Sequence, residues 1–399
     1  MNINLKRLQK NIEELDKIGR DPEGGTSRLA YSPAYYEGLE FVKARMLEAG
    51  LEVKIDSVGS LFGTKKGKTD DVIIIGSHTD TVAHGGPFDG ILGVLGGVEV
   101  MHTLNENGAE LDHTVIIANW AEEEGNVVKG LIGSGAFIGA MEEELPGLEE
   151  KLKKVNISPE DVRNAKFEAL DKVKAYLELH IEQGGILDTE GIDIGVVNSI
   201  VGIKRFIVTL YGKDNHAGTT PMNLRDDAMV KAARLMLDLE AECRKIDETM
   251  VCTVGWLKAY PGEQNIIPGK VQFPVEIRAV DPNSIDKLVE FMKERLSSVS
   301  CDIQPTMFQN ETMMSQSIMD KVKESADELG LKSKVMASGA GHDCMMIANA
   351  IKNSGMIFAP SVNGVSHCPQ EWTEWEDVAN STNVLMKTLL KLDKDSTFY

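Results

Sequence analysis

The stretch IIIGSHTDTVAHGGPFDG, residues 73–90, decides the fold. Its β-branched run reads as a fully buried strand ending at His78, followed by a Gly-rich loop that carries Asp80 and Asp89 and opens a helix. Residues 91–104 have helix length, and 115–117 form a second short β-branched run. Strand, helix and strand in that order imply a right-handed βαβ unit and an α/β sheet. Side chains at the carboxyl end of such a strand face the crevice where α/β proteins bind ligands. There His78 offers an imidazole, Asp80 is placed to orient it, and Asp89 has two oxygens able to bridge two cations. The alternative is a surface loop with solvated carboxylates.

The second strand runs into NWAEEEGN, placing Glu122, Glu123 and Glu124 at a neighbouring strand end. Three adjacent carboxylates repel one another and are unfavourable in a buried crevice unless cations compensate them. Adjacent side chains diverge, so one glutamate can hold a metal while its neighbour handles a proton. Seen alone, the triplet equally reads as a solvated acidic turn. Two further histidines lie in distinctive contexts, His180 in YLELHIEQGGIL and His367 in GVSHCPQEWT, whereas His84, His102 and His113 have only structural contexts.

Upstream, residues 5–18 carry apolar side chains at helical spacing, and Ser32-Pro33 before AYYEGLEFVKARMLEAG reads as a capped helix ending at Gly50. The acidic stretch 142–174 reads as a solvated helical excursion. From about residue 204 the pattern changes to a strand near 206–210, a helix over 226–245, a strand over 250–257, a strand over 271–277, a helix over 284–297 and a strand near 303. That βαββαβ order signals a small domain inserted into the larger one, which resumes with a helix over 318–329.

The 399 residues, 42% hydrophobic and 26% charged, suffice for a large core and more than one domain. The 62 acidic against 42 basic residues give a net charge of -20, which argues against nucleic acid or an anionic membrane as partner. An anionic substrate would need local cations: an Arg, a His or bound metal. Five scattered cysteines without a CxxC pair fit a reducing compartment. With neither a signal-peptide apolar segment nor a membrane-length apolar run, the expectation is a soluble cytoplasmic protein.

The set GSHTDT, GGPFDG, AEEEG, ELHIEQG, NHAGTTPM, NIIPG, SGAGHD and NGVSHCPQE, in this order along the chain, resembles the carbamoylase and allantoate amidohydrolase branch of the aminoacylase and carboxypeptidase-like di-metal hydrolases. The resemblance implies a catalytic domain over 1–203 and 318–399 and an inserted lid and dimerisation domain over 204–317. It implies two divalent metal ions per subunit, Zn or Mn with Co or Ni also suitable. Asp89 would bridge them, with His78 and His180 completing one site and Glu124 and His367 the other. Glu123 would be the catalytic base, assisted by Asp80 and by His216 as oxyanion donor. Gln183, His216, Asn265, Arg278 and His342 would bind substrate, His216 reaching into the partner subunit of a homodimer.

The expected reaction is hydrolysis of a ureido C–N bond in a small carboxylate. Allantoate is favoured because DPEGGTSRLAYSP, GVVNSIVG, AEEEG and PSVNGVSHCPQE resemble that side of the branch. An N-carbamoyl-L-amino acid is the alternative, and a dipeptide or N-acyl amino acid a more distant one. A catalytically silent scaffold would have lost a ligand, yet all five and the base are present. One departure stands out: the branch usually follows EEG with Ser-Arg-Phe, and this chain has Asn126-Val127-Val128. For Arg278, an ion pair with Asp281 is the structural alternative.

Overall fold

The computed structural model describes residues 1–395, which divide into two units: residues 1–198 with 313–395, and residues 199–312. Both joints fall five residues before the positions read from the sequence, because the strand Ile194–Ile200 passes almost directly into Gly202–Tyr211.

The first unit is an α/β sheet. Four strands run parallel in the order Thr114–Trp120, Val72–His78, Val173–Ile181 and Ser354–Ala359. Antiparallel strands extend it: Leu61–Lys65 and Glu52–Ile55 on one side, Ile194–Ile200 on the other. Every residue of Val72–His78 and Thr114–Trp120 is buried, as expected of strands covered on both faces. Side chains alternate between the faces. The helix Ile91–Glu106 packs on the face of Ile75 and Ser77, beside the helices Leu5–Asp16 and Trp375–Asp393. On the opposite face Trp120 stacks edgewise on Phe137 of the helix Ile132–Ile138, and its indole N–H donates to the Tyr176 hydroxyl at 3.1 Å. The four parallel strands therefore end side by side, at Trp120, His78, Ile181 and Ala359.

Local chemistry sets the helix ends. The Ser32 hydroxyl accepts the Tyr35 N–H, Pro33 occupies the first turn, and Gly50 follows the end of Pro33–Glu48 at φ 76°. The acidic excursion is helical over Leu145–Lys154 and Pro159–Asn164. Its acidic side chains at 142–144 and 149–150 are exposed. Its inner face is not solvated: Leu145, Leu152, Ile157 and Val162 join Val58, Val128, Ile132 and Met141 in one buried cluster.

The second unit runs strand, short strand, helix, three short strands, strand, helix, strand. The segment read as one strand over 250–257 is strand only at Val251–Thr253; after the irregular run containing Gly255 a second short strand follows at Lys258–Tyr260, and both pair with Lys270–Ala279. That strand pairs with Gly202–Tyr211, which pairs with Cys301–Gln309, all antiparallel. The helices Ala228–Ile246 and Pro282–Leu296 cover the face made by Val271, Phe273, Val275 and Ile277. Among the described residues, no helix is long and apolar enough to cross a membrane.

Leu152 is fully buried where the excursion meets the segment that follows Glu124. Leu152→Ala should lower the unfolding free energy by about 3 kcal/mol. Urea denaturation measures this, and a loss below about 1 kcal/mol would contradict the packing described.

Candidate metal centre

The carboxyl ends of the parallel strands bring His78, Asp89, Glu123, Glu124, His180 and His367 together. The donor atoms form two groups that share Asp89: His78, Asp89 and His180 in one, Asp89, Glu124 and His367 in the other. Asp89 divides its oxygens between them, Oδ1 lying 3.3 Å from His180 Nε2 and Oδ2 2.9 Å from His367 Nε2. Glu124 Oε1 lies 3.6 Å from His367 Nε2, and Glu123 Oε2 lies 3.8 Å from His78 Nε2. Gly90, at φ 68°, begins the helix after Asp89, and a Cβ there would stand 2.4 Å from His78 Nε2. Only glycine fits.

Backbone contacts orient the histidines. His78 Nδ1 lies 3.0 Å from the Asp80 carbonyl and His180 Nδ1 2.9 Å from the Ile181 carbonyl. A carbonyl only accepts, so each Nδ1 carries a proton, which leaves Nε2 as the atom each ring can offer to a cation. The Asp80 carboxylate is 3.5 Å from His78 Nδ1 and accepts the N–H groups of Glu123 at 3.3 Å and Glu124 at 3.2 Å. It ties the two strand ends together as well as facing the imidazole.

Electrostatics make the centre unfavourable without cations. Burial pushes Glu124 up to about 8, aided by repulsion from Asp89, and pushes Glu123 well above the usual carboxylate range. Burial lowers His180 to about 4, so its imidazole is neutral. Burial would lower His78 as well, but Glu123 and Asp80 outweigh it and hold it well above the usual range. Asp89 is pushed up by burial, yet the hydrogen bond to His367 and the charges of His180 and His78 leave it below its ordinary value. His180 Nε2 and Glu124 Oε1 are buried without a hydrogen-bond partner. Bare nitrogen and oxygen donors around a shared carboxylate suit two divalent cations.

Of the residues expected to bind substrate, two lie in this unit beside the donors. Gln183 Nε2 donates to Asp89 Oδ1 at 3.0 Å and lies 3.2 Å from His367 Nε2. His342 stacks edgewise on His180 with ring centres 4.5 Å apart, its Nε2 2.8 Å from the Ser338 hydroxyl. The other three lie in the second unit. His216, exposed, pairs with Ile266 next to Asn265, and its Nδ1 accepts the N–H groups of Gly218 at 3.0 Å and Thr219 at 3.2 Å. Its proton therefore sits on Nε2. Arg278 Nε donates to Glu276 at 2.8 Å, and the Asp281 carboxylate caps the helix Pro282–Leu296.

Sequence reading missed Glu178, which gathers with His180 and His342 into a third buried group. The signal was present, since residues two apart on a strand share a face. Val127 donates its N–H to Glu122 at 2.7 Å and packs on the apolar cluster around Val128, so an apolar side chain stands where the resemblance has arginine.

Residues 74–391 match the peptidase family M20/M25/M40. The chain is 36% identical over 409 residues to an N-carbamoyl-L-amino-acid amidohydrolase of Pseudomonas sp. (strain NS671), with 98% of each covered. It is 32% identical over 404 residues to the allantoate amidohydrolase of Escherichia coli (strain K12), covering 96% of this chain and 97% of that one. The crystal structure of a hydantoinase/carbamoylase family amidase from Burkholderia multivorans superposes with a TM-score of 0.89 at 30% identity over 99% of both chains.

Without cations His367 holds its proton up to about 9, chiefly through the Asp89 hydrogen bond, and Glu124 up to about 8. A cation entering that group must displace both. Its apparent affinity should therefore rise with pH and level off above about pH 9, changing about tenfold per pH unit for each proton released. A Co²⁺ titration that is flat between about pH 7 and about pH 9 would contradict this protonation scheme.

Proposed function

The chain belongs to peptidase family M20/M25/M40, and on that footing we propose that it is an amidohydrolase of ureido C–N bonds, with allantoate as substrate and ureidoglycine, ammonia and carbon dioxide as products. The observation that carries this reading is the pair of donor groups sharing Asp89, with Glu123 facing them. The motifs quoted from the sequence support allantoate. An N-carbamoyl-L-amino acid is the second reading, favoured by the higher identity to such an enzyme, 36% against 32%.

Two divalent cations, Zn or Mn with Co or Ni as alternatives, held by His78, Asp89, His180, Glu124 and His367, would supply Lewis acidity and lower the pKa of a water. Glu123 takes the proton from the water that attacks the ureido carbonyl carbon and returns it to the departing nitrogen. Asp80 keeps Glu123 in place through its backbone N–H. His216, with its proton on Nε2, donates to the developing oxyanion. Arg278 and Asn265 hold the substrate carboxylate, which answers how an anion binds a chain of net charge -20. Gln183 and His342 line the pocket. The working assembly is a homodimer in which His216 serves the partner's site; the exposed apolar pair Met222 and Leu224, shortly after His216 in the chain, supports an interface there. Five free cysteines support a reducing, cytoplasmic location.

Glu123→Gln should keep its cations while turnover falls about a thousandfold; near wild-type turnover would remove Glu123 from the base role. Ammonia release after loading with Mn²⁺ or Zn²⁺ should be fastest from allantoate, against N-carbamoyl-L-amino acids and a dipeptide. Fastest release from an N-carbamoyl-L-amino acid would establish the second reading. Mixing inactive Glu123→Gln and His216→Ala chains should restore about a quarter of wild-type activity, since half the dimers are mixed and each has one intact site. No recovery in verified mixed dimers would confine each site to one chain.

A further inference from the structure

We infer that Glu371 is a positioning residue that fixes the spacing of Asp89 and His367, and so sets the cation affinity of the group they form with Glu124. The inference rests on the reading of that group as a cation site. Its basis is a single buried carboxylate bonded to both donor loops. Glu371 Oε1 accepts the N–H of Phe88 at 2.9 Å and of Asp89 at 3.0 Å. Oε2 accepts the Ser366 hydroxyl at 2.7 Å and the His367 N–H at 3.3 Å. Glu371 is 2% exposed, and Gly86 makes room for its side chain: a Cβ there would lie 2.3 Å from three Glu371 atoms.

The tie matters because no strand pairing supplies it. Asp89 follows the strand Val72–His78, whereas His367 follows Ser354–Ala359, and Val173–Ile181 lies between those two in the sheet. The loops are thus two strands apart, roughly 10 Å across the sheet by ordinary strand spacing. Yet Asp89 Oδ2 and His367 Nε2 stand 2.9 Å apart. His367 also holds a left-handed backbone, φ 57°, which is unfavourable for a residue with a Cβ. Its N–H is held at that angle by Glu371. Four donors converge on a group that in its ionised form only accepts, so an amide cannot replace it: a glutamine would aim its NH₂ either at two backbone N–H groups or at the Ser366 and His367 donors.

The test is Co²⁺ binding to the full-length metal-free chain, in competition with a chromophoric chelator. The measurement is made in a His180→Ala background, which leaves the Asp89, Glu124 and His367 group, and in a His367→Ala background, which leaves the other. Glu371→Gln should weaken Co²⁺ binding about 10–100-fold in the first background and less than about threefold in the second. Equal losses in both would mean a general structural role and overturn the inference, as would unchanged affinity in the first. Ser366→Ala removes one of the four donors and should cost a few-fold in the first background; should Glu371→Gln fail to fold, unchanged affinity in Ser366→Ala overturns the inference instead. If the His180→Ala chain with Glu371 intact binds no Co²⁺, the cation reading of the group fails first, and the positioning role falls with it.

Discussion

Carboxylates out of water dominate the first unit. Asp80, Asp89, Glu122, Glu178, Asp343 and Glu371 are buried close to the ends of the parallel strands, with Glu123 and Glu124 half-buried beside them. Burial pushes Glu178 up to about 8 and Asp343 up to about 7, and Glu122 up to about 7. Such a concentration of negative charge persists in a folded protein only when each oxygen is hydrogen-bonded, protonated or matched by a cation. Hydrogen bonds satisfy several: Glu178 accepts the Cys344 N–H at 2.7 Å and the Tyr176 hydroxyl at 3.0 Å, and Asp343 accepts the Ser134 hydroxyl at 2.6 Å. Glu122 Oε2 and Asp343 Oδ2 are left bare on carboxyls that burial raises toward protonation, whereas around Asp89 the bare atoms are Glu124 Oε1, His180 Nε2 and Gln183 Oε1, three donors that can face a cation.

In the second unit half-buried charge is met by guanidinium groups instead. Its strand Lys270–Ala279 turns Val271, Phe273, Val275 and Ile277 toward the helices and so places Glu276 and Arg278 on the other face, where Arg205 pairs with Glu276 across the ladder. Glu276 lies between two guanidinium groups, and its carboxyl, though raised by burial, ends below its ordinary value through Arg205 and Arg278. An Arg bonded to a half-buried carboxylate is pre-oriented rather than free to sweep solvent, which lowers the entropy lost when it takes a second anion.

What could be read from the sequence was set by distance along the chain. The buried strands, the capped helix at Pro33–Glu48 and the loop holding His78, Asp80 and Asp89 are local patterns, and each stands where its residues put it. His180 and His367 were separable from His84, His102 and His113 only through a family resemblance, because what brings them to Asp89 is the pairing of strands about 100 residues and more apart. The excursion over 142–174 looked solvated because its charges outnumber its apolar residues. The few apolar ones, Leu145, Leu152 and Val162, nevertheless form one inward stripe. The broken strand at 254–257 was hidden by apolar residues that remain exposed, Trp256 and Leu257 among them.

That inward stripe bears on the chemistry. The segment that follows Glu124 is fastened at two points: the Glu122 carboxylate accepts the N–H groups of Val127 and Val128, and Lys151 of the excursion donates to the Val128 carbonyl at 2.9 Å. Glu122 itself sits at φ 50°, a conformation that costs a residue with a Cβ about 1–2 kcal/mol. The strain turns the chain sharply between strand and loop, so that Glu122 points toward the apolar cluster while Glu123 and Glu124 point toward the centre. The three consecutive carboxylates are thereby separated by direction rather than by distance: one closes the turn, one faces His78 and one faces His367. A triplet that repels itself in solution becomes tolerable because each member has a different partner.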